Sequence, residues 1–274
     1  MFRFLTIFFV ITIFSNCYGL SEQPCRQLNQ QRQGYRLVLR YPPGWCVAMP
    51  HDECDGPADW VIQGFWPTPI ITHSTIRFDH QHPLQFCCHK QQFNKKTLSS
   101  MIKSLERYWP SESYTNHYKY WQQQWHRYGA CSHDPTAIDQ PISRIRQYDQ
   151  IDVGEYFALA LDLFHRLRIR KWLDDNNLKP SNDHSILTSK IRKTLNSHLN
   201  QMDHSSLVYE LRCAHSNNTT VTHGRKILNE IRFCFDDQLD FIDCSKFIDT
   251  DQHTGRTGLC DDDHVYYVDK LGWP

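Results

Sequence analysis

Two stretches of the sequence decide its fold: residues 63–67 read QGFWP, and residues 120–131 read YWQQQWHRYGAC. The first stretch overlaps a run at residues 59–64 that has the composition of a strand. The second lies in a segment from about residue 114 to 128 whose aromatic residues recur at helical spacing. A strand and a helix with a buried aromatic face are therefore predicted at these two places.

Further strands are predicted towards both ends of the chain. Three runs have the composition or the alternation of strands: residues 35–41, 207–213 and 227–235. The first run is expected to stop in a turn at residues 42–44, which read PPG. Gly64 and Pro67 are expected to break the strand that begins at residue 59.

Helices are predicted in the middle of the chain. Residues 97–109 carry apolar side chains at helical spacing, and residues 153–173 predict one long, strongly apolar helix. A further helix is expected after Pro180 and Ser181, with Leu187, Ile191, Leu195 and Leu199 on one face. Helices in the middle and strands at the ends predict a single α+β domain.

The N-terminal residues have the pattern of an export signal. Arg3 precedes the apolar run at residues 4–14, which is too short to span a bilayer comfortably. We interpret residues 1–19 as a signal peptide cleaved near Gly19, with a membrane anchor as the alternative. The mature domain is then expected at residues 25–274, in a secreted or endomembrane-lumenal protein that does not insert into membranes.

Cysteine usage agrees with export. Of 11 cysteines, Cys17 lies in the signal segment, and the even number that remains suggests up to five disulfides. No closely spaced Cys-x-x-Cys pair is present, so a zinc site of that kind is not expected. No other metal and no cofactor is predicted. Asn217 and Asn218 begin two overlapping glycosylation sequons, of which one is expected to be used.

Both opening stretches resemble the paired active-site motifs of the ribonuclease T2 family. The family's first motif reads HGLWP, against QGFWP here, and its second reads FWxHEWxKHGTC, against YWQQQWHRYGAC. The surroundings are similar as well, and the resemblance covers roughly residues 35–260. It implies a central, mainly antiparallel sheet flanked by helices and stapled by disulfides.

The resemblance also implies disulfide pairings and a ligand. Cys234 is expected to pair with Cys244, Cys213 with Cys260, Cys46 with Cys54, and Cys131 with either Cys87 or Cys88. Family members cleave RNA through a 2′,3′-cyclic phosphate, so RNA or a nucleotide is the expected ligand. A glycan or a protein is left open as an alternative ligand, and the sequence does not identify a protein partner.

The departures from the family motifs fall on the catalytic positions. The positions of the family's histidines, glutamate and lysine are occupied by Gln63, Gln123, Gln124, Arg127 and Tyr128. Glutamine does not titrate, and the pKa of tyrosine is about 10, so neither can exchange protons efficiently near neutral pH. Trp66, Arg127 and Tyr128 remain as candidates for binding a substrate, because an arginine can hold a phosphate and aromatic rings can stack on bases.

Other residues of the chain offer weaker substitutes. His73, His80 and His82 follow the first motif in an expected loop and could swing into the site, although a solvated surface role is favoured. His126 lies inside the second motif but is expected to point away from the face that carries Gln124 and Tyr128. Trp121 and Trp125 could also stack on bases, but a role in the core is favoured.

Three functions remain open at this point. The favoured interpretation is a secreted, catalytically inactive relative that binds RNA or nucleotides in the remnant cleft. The first alternative is an active endoribonuclease that uses atypical residues. The second alternative is a secreted effector or structural protein whose pocket has no role. Because the two motifs resemble strand and helix positions that meet in the family, Gln63, Gln124, Arg127 and Tyr128 are expected to converge on one cleft.

Overall fold

The structure is a computed structural model. It describes nine ranges of the chain, which are residues 33–48, 56–70, 92–111, 116–132, 151–200, 208–214, 225–247, 257–260 and 263–269. Within them the strands are β1 (Gln33–Arg40), β2 (Val61–Pro69), β3 (Ile186–Leu187), β4 (Tyr209–Ala214), β5 (Ile227–Phe235), β6 (Thr257–Leu259) and β7 (His264–Val265). The α-helices are α1 (Pro42–Ala48), α2 (Ile102–Tyr108), α3 (His117–Arg127), α4 (Val153–Arg166), α5 (Ile169–Asp175) and α6 (Thr188–Asn200).

A five-stranded sheet forms the centre of the molecule. Its strand order is β2-β1-β5-β4-β6, and every neighbouring pair is antiparallel. Strands β3 and β7 form a separate antiparallel pair. The sheet and the helices confirm the predicted α+β domain with a mainly antiparallel sheet.

One face of the sheet is apolar and packs against the helices. Leu37 on β1 lies opposite Phe65 on β2 and Phe233 on β5, and residues that face each other across strands share a face. These side chains join one buried core with Trp121 and Trp125 of α3, so both tryptophans have the core role that the sequence favoured.

The other face of the sheet carries charged residues that are also buried or half-buried. We call this group the charged cluster; its members are the buried Arg36, Arg40, Arg212, Glu230 and Arg232 and the half-buried Glu210. In β1 these charges alternate with Tyr35, Leu37 and Leu39, a pattern that usually marks a solvated face. The sequence therefore predicted the strand but not the burial of its second face.

Strand β2 is longer than the sequence predicted. It continues through Gly64 and Pro67 to Pro69, so the expected break is wrong. Proline is tolerated here because β2 lies at the edge of the described sheet, where one side of the strand needs no donor to a neighbouring strand. Gly64 has a packing role that is described with the site below.

Three predictions about helices are also corrected. The helix expected after Pro180 and Ser181 begins only at Thr188, so Leu187 lies in strand β3 and not on the apolar face of α6. Residues 42–48 form helix α1 rather than a simple turn, because proline at the first helical position has the required φ and its missing N–H is not needed there. The single helix expected at residues 153–173 is two helices, α4 and α5, that are separated at Leu167 and Arg168. Leu167 and Ile169 are both buried, and in one continuous helix they would point about 200° apart.

Disulfides join the C-terminal strands. The predicted pairs Cys213–Cys260 and Cys234–Cys244 are both present. Cys46 and Cys131 are disulfide-bonded as well. Their expected partners Cys54, Cys87 and Cys88 lie outside the described residues, so these pairings stay predictions. Among the described helices, none has the length and apolar character needed to cross a bilayer.

Candidate functional site

A bulge in β2 sets the position of Gln63. The register between β1 and β2 changes from Val38 opposite Gly64 to Leu39 opposite Ile62, so Gln63 has no opposite residue in β1. An extra residue of this kind bends a strand and redirects its side chains, and such bulges are frequent beside functional sites. Gln63, which is half-buried, is therefore the bulged residue of edge strand β2.

Two tyrosines anchor the helices to this part of β2. The Tyr120 hydroxyl donates a hydrogen bond to the Gln63 carbonyl oxygen at 2.8 Å, and the Tyr156 hydroxyl donates to the Phe65 carbonyl oxygen at 2.6 Å. Burial, with the neighbouring tyrosines, raises the pKa of Tyr156 well above its usual value, which keeps the hydroxyl protonated as a donor. Helices α3 and α4 thus hold β2 on both sides of Gly64.

Glycine at position 64 makes room for the Trp66 ring. A Cβ atom on Gly64 would lie 2.1 Å from Nε1 of Trp66, a distance at which one of them must move. Both residues lie on the sheet face that carries the charged cluster, because Gly64 is opposite Val38 and Trp66 is opposite Arg36. The close approach of the indole to the backbone explains the glycine of the first motif.

The second motif lies on helix α3, where some of its side chains are buried and others are exposed. Gln124 and Tyr128 are one turn apart on the same face and are only 8% and 7% exposed. Gln123, His126 and Arg127 are exposed. His126 therefore lies away from the buried face, as its position in the helix predicted.

Aromatic contacts bring the two motifs together. The rings of Trp66 and Tyr128 have centroids 5.5 Å apart with an interplanar angle of 30°. Cζ of Arg127 lies 5.3 Å from the centroid of the Tyr128 ring. The three candidate binding residues thus form a chain of contacts, Trp66 to Tyr128 to Arg127, whereas the side chain of Gln123 is on the exposed side of α3.

Two polar atoms at this place are buried without a hydrogen-bond partner among the described residues: Nε1 of Trp66 and Oε1 of Gln124. A buried polar group without a partner costs free energy, and such groups are uncommon in folded proteins. Here one is a donor and the other an acceptor, so the site offers both kinds of hydrogen bond to a ligand or a water molecule.

The charged cluster adds a neighbour that the sequence did not reveal. Cζ of Arg232 on β5 lies 5.4 Å from the centroid of the Trp66 ring. Glu230 binds both Arg232 and Arg40. Burial raises the pKa of Glu230, but the two guanidinium groups outweigh that effect and leave the pKa below its usual value. In the sequence, this cluster is visible only as charged residues that alternate with apolar ones in β1 and β5. Whether these charges meet depends on how the two strands pair.

Several predicted positions cannot be placed. His73, His80, His82, Asn217 and Asn218 lie outside the described residues. Within the described ranges, no three His, Cys, Asp or Glu side chains come close enough together to hold a metal ion.

A family model and several known proteins match the sequence of this chain. The model of the Ribonuclease T2 family matches residues 33–244. Ribonuclease T2 of Danio rerio is 22% identical over 242 residues, which cover 84% of this chain and 85% of that protein. Ribonuclease M of Aspergillus phoenicis is 27% identical over 154 residues, and the match spans 53% of this chain and 59% of the relative.

Solved structures show the same fold. Human RNase T2 superposes with a TM-score of 0.60 at 18% identity, covering 86% of this chain and 98% of that one. RNase NT in complex with 5′-AMP has the same TM-score and identity and covers 87% and 98%. An RNase-related protein from Calystegia sepium has a TM-score of 0.58 at 17% identity and covers 88% and 98%. With the family model matching most of its length, this chain belongs to the ribonuclease T2 family.

Proposed function

We propose that this chain is a secreted protein of the ribonuclease T2 family that binds RNA or nucleotides in the remnant of the active-site cleft and does not cleave RNA by the family's acid–base mechanism. The observation that carries the proposal is the contact between Trp66 and Tyr128. It joins the two motifs at the position where a histidine is replaced by a tyrosine ring. In this proposal the site binds a ligand through aromatic contact and does not transfer protons.

Loss of the titrating groups supports the absence of catalysis. General acid–base catalysis needs groups whose pKa lies near the working pH. Gln63, Gln123 and Gln124 cannot titrate, and a tyrosine at position 128 is protonated at neutral pH. The guanidinium of Arg127 keeps a positive charge where the family has lysine, but arginine does not give up its proton.

Binding is supported by three side chains of the two motifs. Trp66 offers an aromatic surface and an indole N–H, Gln124 offers a buried carbonyl oxygen, and Arg127 offers an exposed cation. Stacking on a base, a hydrogen bond to a base or ribose, and contact with a phosphate need these three chemistries. A family structure with a related fold was solved with 5′-AMP, which makes that nucleotide a suitable first probe.

Secretion is supported by the N-terminal pattern of residues 1–19 and by the disulfides of the C-terminal half. Disulfides persist mainly in oxidising compartments. Expression of the full-length chain in a secreting eukaryotic cell, followed by sequencing of the N terminus from the medium, should give a chain that begins shortly after Gly19. Retention of the complete N terminus in a membrane fraction would favour the anchor instead.

The function is tested by two measurements on the purified secreted chain. Incubation with RNA at acid and neutral pH is expected to give no products, and titration with 5′-AMP is expected to raise the melting temperature, because a ligand of the folded state stabilises it. Arg127→Gln should reduce the rise. Arg166→Gln, which removes an exposed helical arginine of α4 that pairs with Asp162, is the matched control and should not.

Two results would refute the proposal in different ways. RNA cleavage that is abolished by substituting His73, His80 or His82 would establish an active enzyme with a relocated site. No response to 5′-AMP or to short RNA would remove the binding function and leave a secreted protein whose pocket has no role.

A further inference from the structure

A row of residues links β5 to the candidate site across three strands. Arg232 on β5 is opposite Val38 on β1, and Val38 is opposite Gly64 on β2. Trp66 lies over Gly64 on the same sheet face. Two strand spacings are about 10 Å, which an arginine side chain and an indole can bridge when the residue between them is only a valine. The guanidinium of Arg232 thereby reaches the Trp66 ring.

Glu230 determines where that guanidinium lies. Its Oε2 accepts hydrogen bonds from Nη2 of Arg232 at 2.6 Å and from Nε of Arg232 at 3.2 Å. Its Oε1 accepts from Nη2 of Arg40 at 3.2 Å. Each oxygen of one carboxylate is thus assigned to a different arginine. Each of these arginines faces a tryptophan, since Cζ of Arg40 lies 4.1 Å from the ring centroid of Trp45.

Burial makes this arrangement rigid. Glu230 is 3% exposed and Arg232 is 2% exposed, so little water competes for their hydrogen bonds. The guanidinium of Arg232 is buried and the Trp66 ring is half-buried, and a cation–π contact is stronger when its groups are desolvated. The described contacts of the Trp66 ring include the Gly64 backbone, the Tyr128 ring and the Arg232 guanidinium. Of these, the guanidinium is held in place by its ion pair with Glu230.

We infer that Glu230 and Arg232 are positioning residues for the Trp66–Tyr128 pair: Glu230 orients Arg232, and Arg232 holds the Trp66 ring in place. The inference rests on the proposed function, in which Trp66, packed against Tyr128, offers the aromatic surface that contacts the nucleotide. A ring that is already held in its binding orientation loses less conformational entropy when a ligand arrives. Glu230 and Arg232 therefore affect affinity without touching the ligand.

The test compares variants of the secreted full-length chain. Arg232→Met keeps the length of the side chain and removes the charge, Arg232→Lys keeps the charge with fewer donors, and Glu230→Gln keeps the shape of the carboxylate. Arg212→Met is the matched control, because Arg212 is equally buried in the charged cluster but lies on β4, one strand farther from Trp66.

Two readouts are used, each at a temperature where all variants are folded. The first is the near-ultraviolet circular dichroism of Trp66 without ligand, obtained as the difference between each chain and the same chain with Trp66→Phe. The second is the affinity for 5′-AMP by titration calorimetry. A purely structural role of the arginines would lower the melting temperature without changing either readout.

Arg232→Met is expected to diminish the Trp66 signal and to weaken 5′-AMP binding by roughly 5- to 30-fold, which lies within the range of coupling between contacting residues. Glu230→Gln should act in the same direction, and Arg232→Lys should restore part of both readouts. If Arg232→Met does not fold, Arg232→Lys and Glu230→Gln carry the comparison. Arg212→Met should leave the Trp66 signal and the affinity unchanged.

An unchanged Trp66 signal in Arg232→Met and Glu230→Gln would overturn the inference, as would an equal loss of signal in Arg212→Met. The two proposals fail separately. If the unsubstituted chain does not bind 5′-AMP, the proposed function is refuted for this nucleotide, whereas the Trp66 signal still decides whether Arg232 positions the ring.

Discussion

At the scale of single residues, Tyr128 changes the chemistry of the site most directly. An imidazole at this position could exchange a proton near neutral pH, whereas a phenol cannot. The tyrosine ring also makes a contact of its own, packing against Trp66 and becoming almost completely buried. This one side chain thereby joins the two motifs.

Restoring the family residues should restore some cleavage. The variant with Gln63→His, Gln123→His, Gln124→Glu and Tyr128→His is expected to release products from RNA where the unsubstituted chain releases none. Each proton transfer is worth about 10²- to 10⁴-fold in rate, although groups that act as a unit do not add simply. The same variant without Tyr128→His serves as the control. A folded fourfold variant without activity would show that the backbone of the site has diverged.

Glu230 should make stability depend on pH. Since its pKa is lowered in the folded chain, its contribution is present above the unfolded value of about 4.3 and is lost as the pH falls through the folded value. Removing one partner of a buried ion pair costs about 3–5 kcal/mol, so Glu230→Ala should be strongly destabilised at pH 7.

The measurement is chemical denaturation of both chains between about pH 3 and pH 7, a range that spans the titration of a glutamate. The difference in the free energy of unfolding between them is expected to shrink below about pH 4, as the carboxyl of the unsubstituted chain becomes protonated. Asp162→Ala, which removes an exposed partner of Arg166, should show a small difference throughout. A Glu230 difference that does not vary with pH would contradict an ionised Glu230.

At the scale of elements, the site depends on how α3 is attached to β2. The helix begins after Asn116, whose side chain accepts a hydrogen bond from the Lys119 backbone N–H, and it is followed by the 3-10 turn Gly129–Cys131. Between these ends the Tyr120 hydroxyl reaches the carbonyl of Gln63. The family motif that this segment resembles has phenylalanine at this position, which has no hydroxyl to make such a bond.

Tyr120→Phe tests that attachment. Deleting the hydroxyl leaves the Gln63 carbonyl without this donor and should reduce the free energy of unfolding by about 1 kcal/mol. Tyr108→Phe is the control, because the Tyr108 hydroxyl makes no hydrogen bond to the described part of the chain while its ring packs on Phe164. Equal stability of both variants in urea denaturation would show that the Tyr120 hydroxyl does not stabilise the bulge.

At the scale of the whole molecule, disulfides tie the C-terminal chain to the sheet. Cys213 of β4 is joined to Cys260, 47 residues later, and Cys234 of β5 is joined to Cys244, 10 residues later. The longer bridge connects β4 to the residue that follows edge strand β6, whereas the shorter one closes a local loop.

Removing the two bridges should have unequal effects. In the chain-entropy description, a bridge restricts the unfolded chain more when its loop is longer, which gives about 4 kcal/mol for Cys213–Cys260 and about 3 kcal/mol for Cys234–Cys244. The double variants Cys213→Ala/Cys260→Ala and Cys234→Ala/Cys244→Ala are compared by denaturation. A larger loss for the shorter bridge would show that strain or local packing, rather than loop entropy, dominates.

The sequence by itself determined the features that depend on local pattern. Alternation located β1, helical spacing placed Ile191, Leu195 and Leu199 on the buried face of α6, and the two motifs identified the family together with its C-terminal disulfides. These predictions succeed because side-chain periodicity is a property of neighbouring residues. That Gln63 and Tyr128 stand where the resemblance implies histidines is a prediction from the two motifs, made without a structure.

Only the tertiary structure decided the features that depend on which residues meet. The bulge at Gln63 appears in the pairing of β2 with β1, and the contact of Arg232 with Trp66 requires the register of three strands. Glu230 could have faced solvent on an exposed sheet. Its contact with Arg40 requires the pairing of β5 with β1, and its burial requires that face of the sheet to be covered. The physical reason is that strand register and the covering of a sheet face are set by residues far apart in the chain, which no local pattern records.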